Sequence, residues 1–273
     1  MRKAAWATLC YLMAAFAVCC VSLTGFSRFF ASNVSVPAMG LAARLSACAE
    51  FPITGPALAA VCMVFALLRR RAKAPFIALL ITFIVIWLPC LAPQSAQPTE
   101  APESCVRSLC AELVDELNAS GRSVMPVYEI LDNARAAMNA PAAPKAARYP
   151  EFLRAIKAAG IYIPVTGEAL VDITRPQASL PFTAAHELAH MLGTGDETEA
   201  NLAAYEACVA RGGAFAYSAR LWALKYAMGR LKDADWIYGA LGGDIAADLR
   251  AIPYSGEGTD EYAALTDCLA GGM

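Results

Sequence analysis

"PFTAAHELAHMLGTGDETEANLAAYEAC", residues 181–208, holds both histidines of the chain, His186 and His190. Residues four apart on an α-helix lie one above the other, so this spacing predicts a helix that turns both imidazoles toward one point. A single Zn²⁺ at about 2.0–2.1 Å from each ring nitrogen requires that arrangement. Glu187 lies about 100° further round the helix, where it can reach a water without binding the metal. The pattern is HExxH, whose chemistry is a zinc-activated water with a carboxylate as general base.

Downstream, Gly193 and Gly195 end the helix and reverse the chain, and a second helix is expected from Glu197. A catalytic zinc takes three protein ligands and keeps one position open, and three acids stand at the reversal. Asp196 would complete HExxHxxGxxD. It is also well placed as an N-cap, with Glu199 three residues on completing a capping box. That reading uses Asp196 and Glu199 together and leaves Glu197 as the third ligand, with Glu199 as the alternate. Asn201, one turn below Glu197, is placed to support a ligand histidine. Glu197 also has a structural reason to be where it is, because an acid in a first helical turn is favoured by the helix dipole.

Upstream, "IYIPVTGEALVDI", residues 161–173, is the one stretch of strong β character, with Gly167 as the turn between two short strands. Pro164 suits a sheet edge. Glu168 reads as a solvated turn carboxylate or as a site residue. Before this hairpin the periodicity predicts a helix from 104 to 120, with Val106, Leu109, Leu113 and Leu117 on one face and Gly121 at its end. Two more are expected over 126–138 and 150–159. After the histidine helix come helices over 197–210 and 217–231 and one or two shorter ones. The region is mainly α with a small β element.

The first third is different in kind. The mean hydropathy of +0.45 and 58% apolar residues exceed what a water-soluble enzyme needs. The excess is concentrated in three runs, about 4–27, 51–68 and 74–93, each near the length of a membrane-crossing helix. These predict a membrane domain of three transmembrane helices over 1–97, then an outer domain over 98–273. "APQSAQPTEAPES", residues 92–104, reads as the linker. The middle run is crowded at its start by Pro52, Thr54, Gly55 and Pro56, which also suits a re-entrant or interfacial segment. Arg2 and Lys3, then Arg69, Arg70, Arg71 and Lys73, place the basic ends in the cytoplasm and the C-terminal part outside it.

Charge divides the same way. Residues 1–99 carry eight basic residues and one acid, and the remainder fourteen and twenty-three. An acidic outer part gives no support for nucleic-acid binding. Five cysteines, Cys48, Cys105, Cys110, Cys208 and Cys268, fall outside the apolar runs, and with no CxxC among them a cysteine metal site is not expected.

Three segments, "GIYIPVTGEA", "SLPFTAAHELAH" and "ETEANLAAYEAC", in that order and spacing, resemble the bacterial membrane-protein family known as domain of unknown function 3810. The resemblance covers most of the chain. It implies a three-span bacterial cell-membrane protein with an extracytoplasmic, zincin-like HExxH domain. One departure is Leu170, where the family pattern has Asn after GEA. The ExEAN element is also similar to zincins whose third ligand is the Glu four residues before an Asp or Asn, which here is Glu197 before Asn201. In zincins the edge strand above the histidine helix pairs with an extended substrate, and the resemblance implies that role for 161–166.

The resulting expectation is a membrane-anchored zinc metallopeptidase. His186, His190 and Glu197 hold the metal, Glu187 is the base, a peptide or protein is the substrate and a lipid bilayer is the other partner. Tyr205, Tyr217, Tyr226, Tyr238, Tyr254 and Tyr262 are the candidates for stabilising an oxyanion. The alternative is a membrane-tethered sensor or scaffold whose metal is structural or absent.

Overall fold

The computed structural model describes residues 35–49, 51–67, 77, 100–252 and 260–271. Pro37 in its first turn opens helix α1 (Val36–Ser46), and α2 (Thr54–Leu67) follows. Helix α3 (Glu103–Ser120) buries the stripe Val106, Leu109, Cys110, Leu113, Val114 and Leu117, and Gly121 at φ +68° ends it. Helix α4 (Val127–Met138) comes next, then the two-residue strand β1 (Lys145–Ala146) and the short α5 (Pro150–Ala155).

Strands β2 (Gly160–Ile163) and β3 (Glu168–Val171) form the expected hairpin. Gly167 at φ +66° takes the left-handed position of its turn. The pairing is antiparallel, from Gly160 opposite Val171 to Ile163 opposite Glu168, and β1 adds in parallel on the far side of β3. Helix α6 (Leu180–Met191) carries the histidines, α7 (Glu197–Arg211) doubles back beside it, and α8 (Gly213–Met228) is buried along almost its whole length. Three helices follow, α9 (Asp235–Ala240), α10 (Gly243–Ala251) and α11 (Asp260–Gly271).

The core is organised on α6. It packs against α4, α7 and α8 on the helical side and against β2 and β3 on the other. Ala184, Ala185 and Ala189 are fully or almost fully buried, and their small side chains let these neighbours approach closely. Phe182, Trp222 and Tyr226 stack in series behind it, with centroids 6.0 and 5.3 Å apart. The Trp222 indole N–H donates to the Ser179 carbonyl at 3.1 Å. Six cysteines, Cys48, Cys62, Cys105, Cys110, Cys208 and Cys268, are free thiols. Burial pushes the Cys110 thiol up to about 12, in keeping with a packing role.

The expectation of three transmembrane helices is corrected. Among the described residues no helix is long and apolar enough to cross a membrane. The run 51–68 forms a 14-residue helix, about 21 Å at 1.5 Å per residue, against a hydrocarbon core of about 30 Å. The runs 4–27 and 74–93 lie outside the described residues, apart from residue 77. Between the first two runs lies helix α1.

Glu168 supplies what sets the start of α2. Its carboxylate accepts from the backbone N–H groups of Ile53 at 2.7 Å and Thr54 at 2.8 Å, and from the Thr54 hydroxyl. Lys145 donates to it at 2.9 Å, and also to the carbonyls of Ser46 and Phe51. An acid more than a hundred residues away thus caps the first turn of α2. This carboxylate is neither solvated nor part of the histidine cluster; it is a buried tie between residues 46–54 and the sheet.

Burial alone would raise the Glu168 pKa, but the hydrogen bonds from Thr54, Ile53 and Lys145 outweigh it and hold it below the usual glutamate range. A depressed folded pKa adds stability above the ordinary value of about 4.3, and that stability is lost as pH falls through the folded value. Glu168→Gln is expected to cost about 3 kcal/mol at pH 7, because Lys145 is left buried without its counter-charge. Urea unfolding should show the gap to wild type closing as pH drops below about 4. A gap unchanged down to pH 2 would mean that the carboxylate charge is immaterial.

Candidate metal centre

The histidine helix starts with Pro181 in its first turn and ends at Leu192, after which Gly193 takes φ +104°. That left-handed residue reverses the chain within four positions. Asp196 then caps α7, its carboxylate accepting the Glu199 N–H at 3.1 Å. The cap fixes where α7 begins and therefore where Glu197 points.

It points at the histidines. His186 Nε2 and His190 Nε2 are 3.0 Å apart, and Glu197 sets Oε2 at 3.1 Å from the first and Oε1 at 3.4 Å from the second. His186, His190 and Glu197 are the one group of three potential metal ligands found among the described residues. Two atoms bound tetrahedrally at about 2.0–2.1 Å from zinc lie about 3.3 Å apart, so this donor set has the spacing of zinc ligands. Glu199 is the residue whose N–H is capped, and Asp196 is the cap, so neither belongs to the cluster.

His190 is oriented from behind. Its Nδ1 lies 2.7 Å from the Thr194 carbonyl, a bond that puts the proton on Nδ1 and leaves Nε2 free to act as a ligand. His186 Nδ1 and both amide atoms of Asn201 are buried with no hydrogen-bond partner. Phe182 stands 6.5 Å from the His186 ring on the core side.

Glu187 is held apart from the three. It is 6% exposed and sits against β2 so closely that a Cβ on Gly160 would lie 2.6 Å from its Cγ and Oε1. The backbone N–H of Tyr162 donates to its carboxylate. Burial pushes the Glu187 pKa up, against the lowering effect of the two imidazoles. For Glu197 the balance is reversed. Burial opposes ionisation there, but hydrogen bonds from His186 and His190 hold the carboxyl well below its usual range. His190 is pushed up to about 9, since Glu197 and Glu187 outweigh the burial that would lower it.

Two contributors could not be read from residue identity. The Thr194 carbonyl and the Tyr162 N–H are backbone groups, and only the fold brings them to His190 and Glu187. Nothing in the sequence marks Gly160 as the residue on which the Glu187 carboxylate rests. Of the tyrosines, Tyr217 is buried and donates to Asp248 at 2.9 Å, Tyr238 lies under Arg250, and Tyr226 stacks on Trp222. Tyr205 is partly buried against the core. Tyr254 and the side chain of Tyr262 lie outside the described residues.

Two imidazoles faced by a carboxylate form a His-His-Glu cluster that could hold a metal ion, with a buried second carboxylate beside it. Residues 92–250, more than half of the chain, match the family described as Protein of unknown function (DUF3810), and the chain belongs to that family. It has no match among curated proteins or among solved structures.

Gly160→Ala should force the Glu187 carboxylate out of place at a cost of about 1–3 kcal/mol. Glu187→Ala in the same chain should relieve that cost, so a double-mutant cycle by urea unfolding is expected to show a coupling of about 1 kcal/mol or more. Additive costs would mean that the strand does not press on the base.

Proposed function

We propose that this protein is a zinc-dependent metallopeptidase in which His186, His190 and Glu197 hold the metal and Glu187 is the general base. The observation that carries the reading is the convergence of two Nε2 atoms and one carboxylate at 3.0–3.4 Å. Three ligands favour a catalytic over a structural role, because structural zinc sites are closed by four protein ligands. Zinc, when bound, supplies Lewis acidity that polarises a carbonyl and makes water nucleophilic near neutral pH.

The residues divide the rest of the work. Glu187 accepts a proton from the attacking water on its carboxylate and returns it to the leaving amine nitrogen. Its raised pKa suits a group that must take and then give up a proton close to neutrality. Thr194 keeps the His190 Nε2 unprotonated and aimed at the metal position. Asn201 is assigned to the far nitrogen of His186, since each is buried and lacks a partner. Strand β2 pairs only with β3 in the described sheet. An extended chain could lie along its other edge over 161–166 and meet the carbonyls there, the Tyr162 N–H being taken by Glu187, which favours a peptide as the substrate.

Metal analysis of the purified protein is expected to give one zinc per chain, lost in His186→Ala, His190→Ala and Glu197→Ala and retained in Glu199→Ala. Glu187→Gln should keep the zinc and lower cleavage of a fluorogenic peptide library by about 10²–10⁴-fold. Zinc absent from the wild type, or full cleavage by Glu187→Gln, would sink the proposal.

A further inference from the structure

We propose that helix α1, which precedes the family-matched residues, braces the metal centre, with Val36 and Met39 as positioning residues for His190 and Glu187. This rests on the reading of the centre given above. Helix α1 buries Met39, Ala43 and Ser46 to 1%, 0% and 1% exposure, while Leu41 and Leu45 on its other side are 60% and 65% exposed. Spacings of four and three put the buried residues on one face.

That face makes three close contacts, two of them next to a group that serves the site. Val36 fills the space beside Gly193, where any side chain would overlap its Cγ2 methyl. The following residue, Thr194, provides the carbonyl that holds His190 Nδ1. Met39 packs on Tyr162, whose backbone N–H bonds Glu187. The backbone at Ala43 closes on Gly167 so tightly that a Cβ there would overlap it, and Glu168, next in sequence, caps α2. Gly193 is therefore required twice, for its φ of +104° and for the room it leaves Val36. The pattern is that of a built interface, with two glycine turns receiving one helix.

The consequence is that ligand and base are both held from the N-terminal side. Without Val36 the Gly193–Thr194 turn loses a wall, and the carbonyl that fixes the His190 tautomer is freed to move. Without Met39, Tyr162 loses its support and the strand that carries the N–H to Glu187 loosens. Removing such outer support weakens metal sites by about 10–100-fold where the supporting group touches the ligand directly. Here the action is through one intervening residue, so the lower end, about tenfold, is expected.

The test uses the full chain labelled with ¹⁵N-histidine. With only two histidines, both imidazoles are resolved. Two readouts are taken, the His190 ring Nδ1–H signal of the metal-free protein, which reports the bond to the Thr194 carbonyl whatever the charge of the ring, and zinc affinity by chelator competition. In the wild type one ring should show a sharp, slowly exchanging Nδ1–H. Val36→Ala and Met39→Ala combined should blur that signature and weaken zinc about tenfold. Val36→Thr, of the same shape, should behave as wild type, as should Leu45→Ala on the exposed face. If the double variant does not fold, Val36→Ala alone carries the comparison. A variant that unfolds more easily yet keeps the Nδ1–H signal and the affinity would reduce α1 to ordinary packing and overturn the proposal. Wild type that binds no zinc would instead overturn the reading of the centre, and the Nδ1–H signal would still decide whether α1 braces His190.

Discussion

The architecture depends on one close approach, the backbone of β2 laid directly on the carboxylate of Glu187. It is possible only because residue 160 has no side chain. That contact fixes the distance from sheet to histidine helix, buries the carboxylate and gives it the Tyr162 N–H. With the sheet on one side and α4, α7 and α8 on the other, α6 is left with little freedom except along the side bearing His186 and His190. A helix confined in this way presents two imidazoles as a rigid pair, which is what a metal centre needs from its scaffold.

The part of the site that lies within one helix or one turn was legible in the sequence. The four-residue spacing of the histidines, the glycine reversal, the Asp196 cap and the direction of Glu197 all follow from local periodicity and capping rules. Once Asp196 is a cap, Glu197 must leave the first turn of α7 toward the preceding helix. The hairpin was legible for the same reason, since Gly167 supplies a backbone conformation that other residues resist.

What sequence did not reveal is what the fold brings together over long separations. Strand β1 is two residues long and exists because β3 offers it an edge. Glu168 reads as a turn acid because its partners, Ile53 and Thr54, lie more than a hundred residues away. The apolar run 51–68 was read by hydropathy, which registers the chemistry of a segment but not where its helix starts and stops. Helix α2 begins where a distant carboxylate caps it, and it is 14 residues long. Helix α1 carried no signal, because its buried stripe mixes Met, Ala and Ser and its exposed face keeps two leucines.

Two glutamates stand beside the same pair of imidazoles, and their surroundings push them in opposite directions. Glu197 accepts from both rings, remains partly exposed and is held ionised. Glu187 is buried, and its carboxylate is driven toward the neutral form. One residue type thus has two electrostatic characters, and in the proposed function that separation divides a metal ligand from a proton carrier. The geometry keeps the division from collapsing. The Tyr162 N–H holds Glu187 against β2 and away from the His-His-Glu cluster, and Asp196 fixes the start of the helix that carries Glu197. The proposed division into ligand and base therefore rests on a strand and a cap.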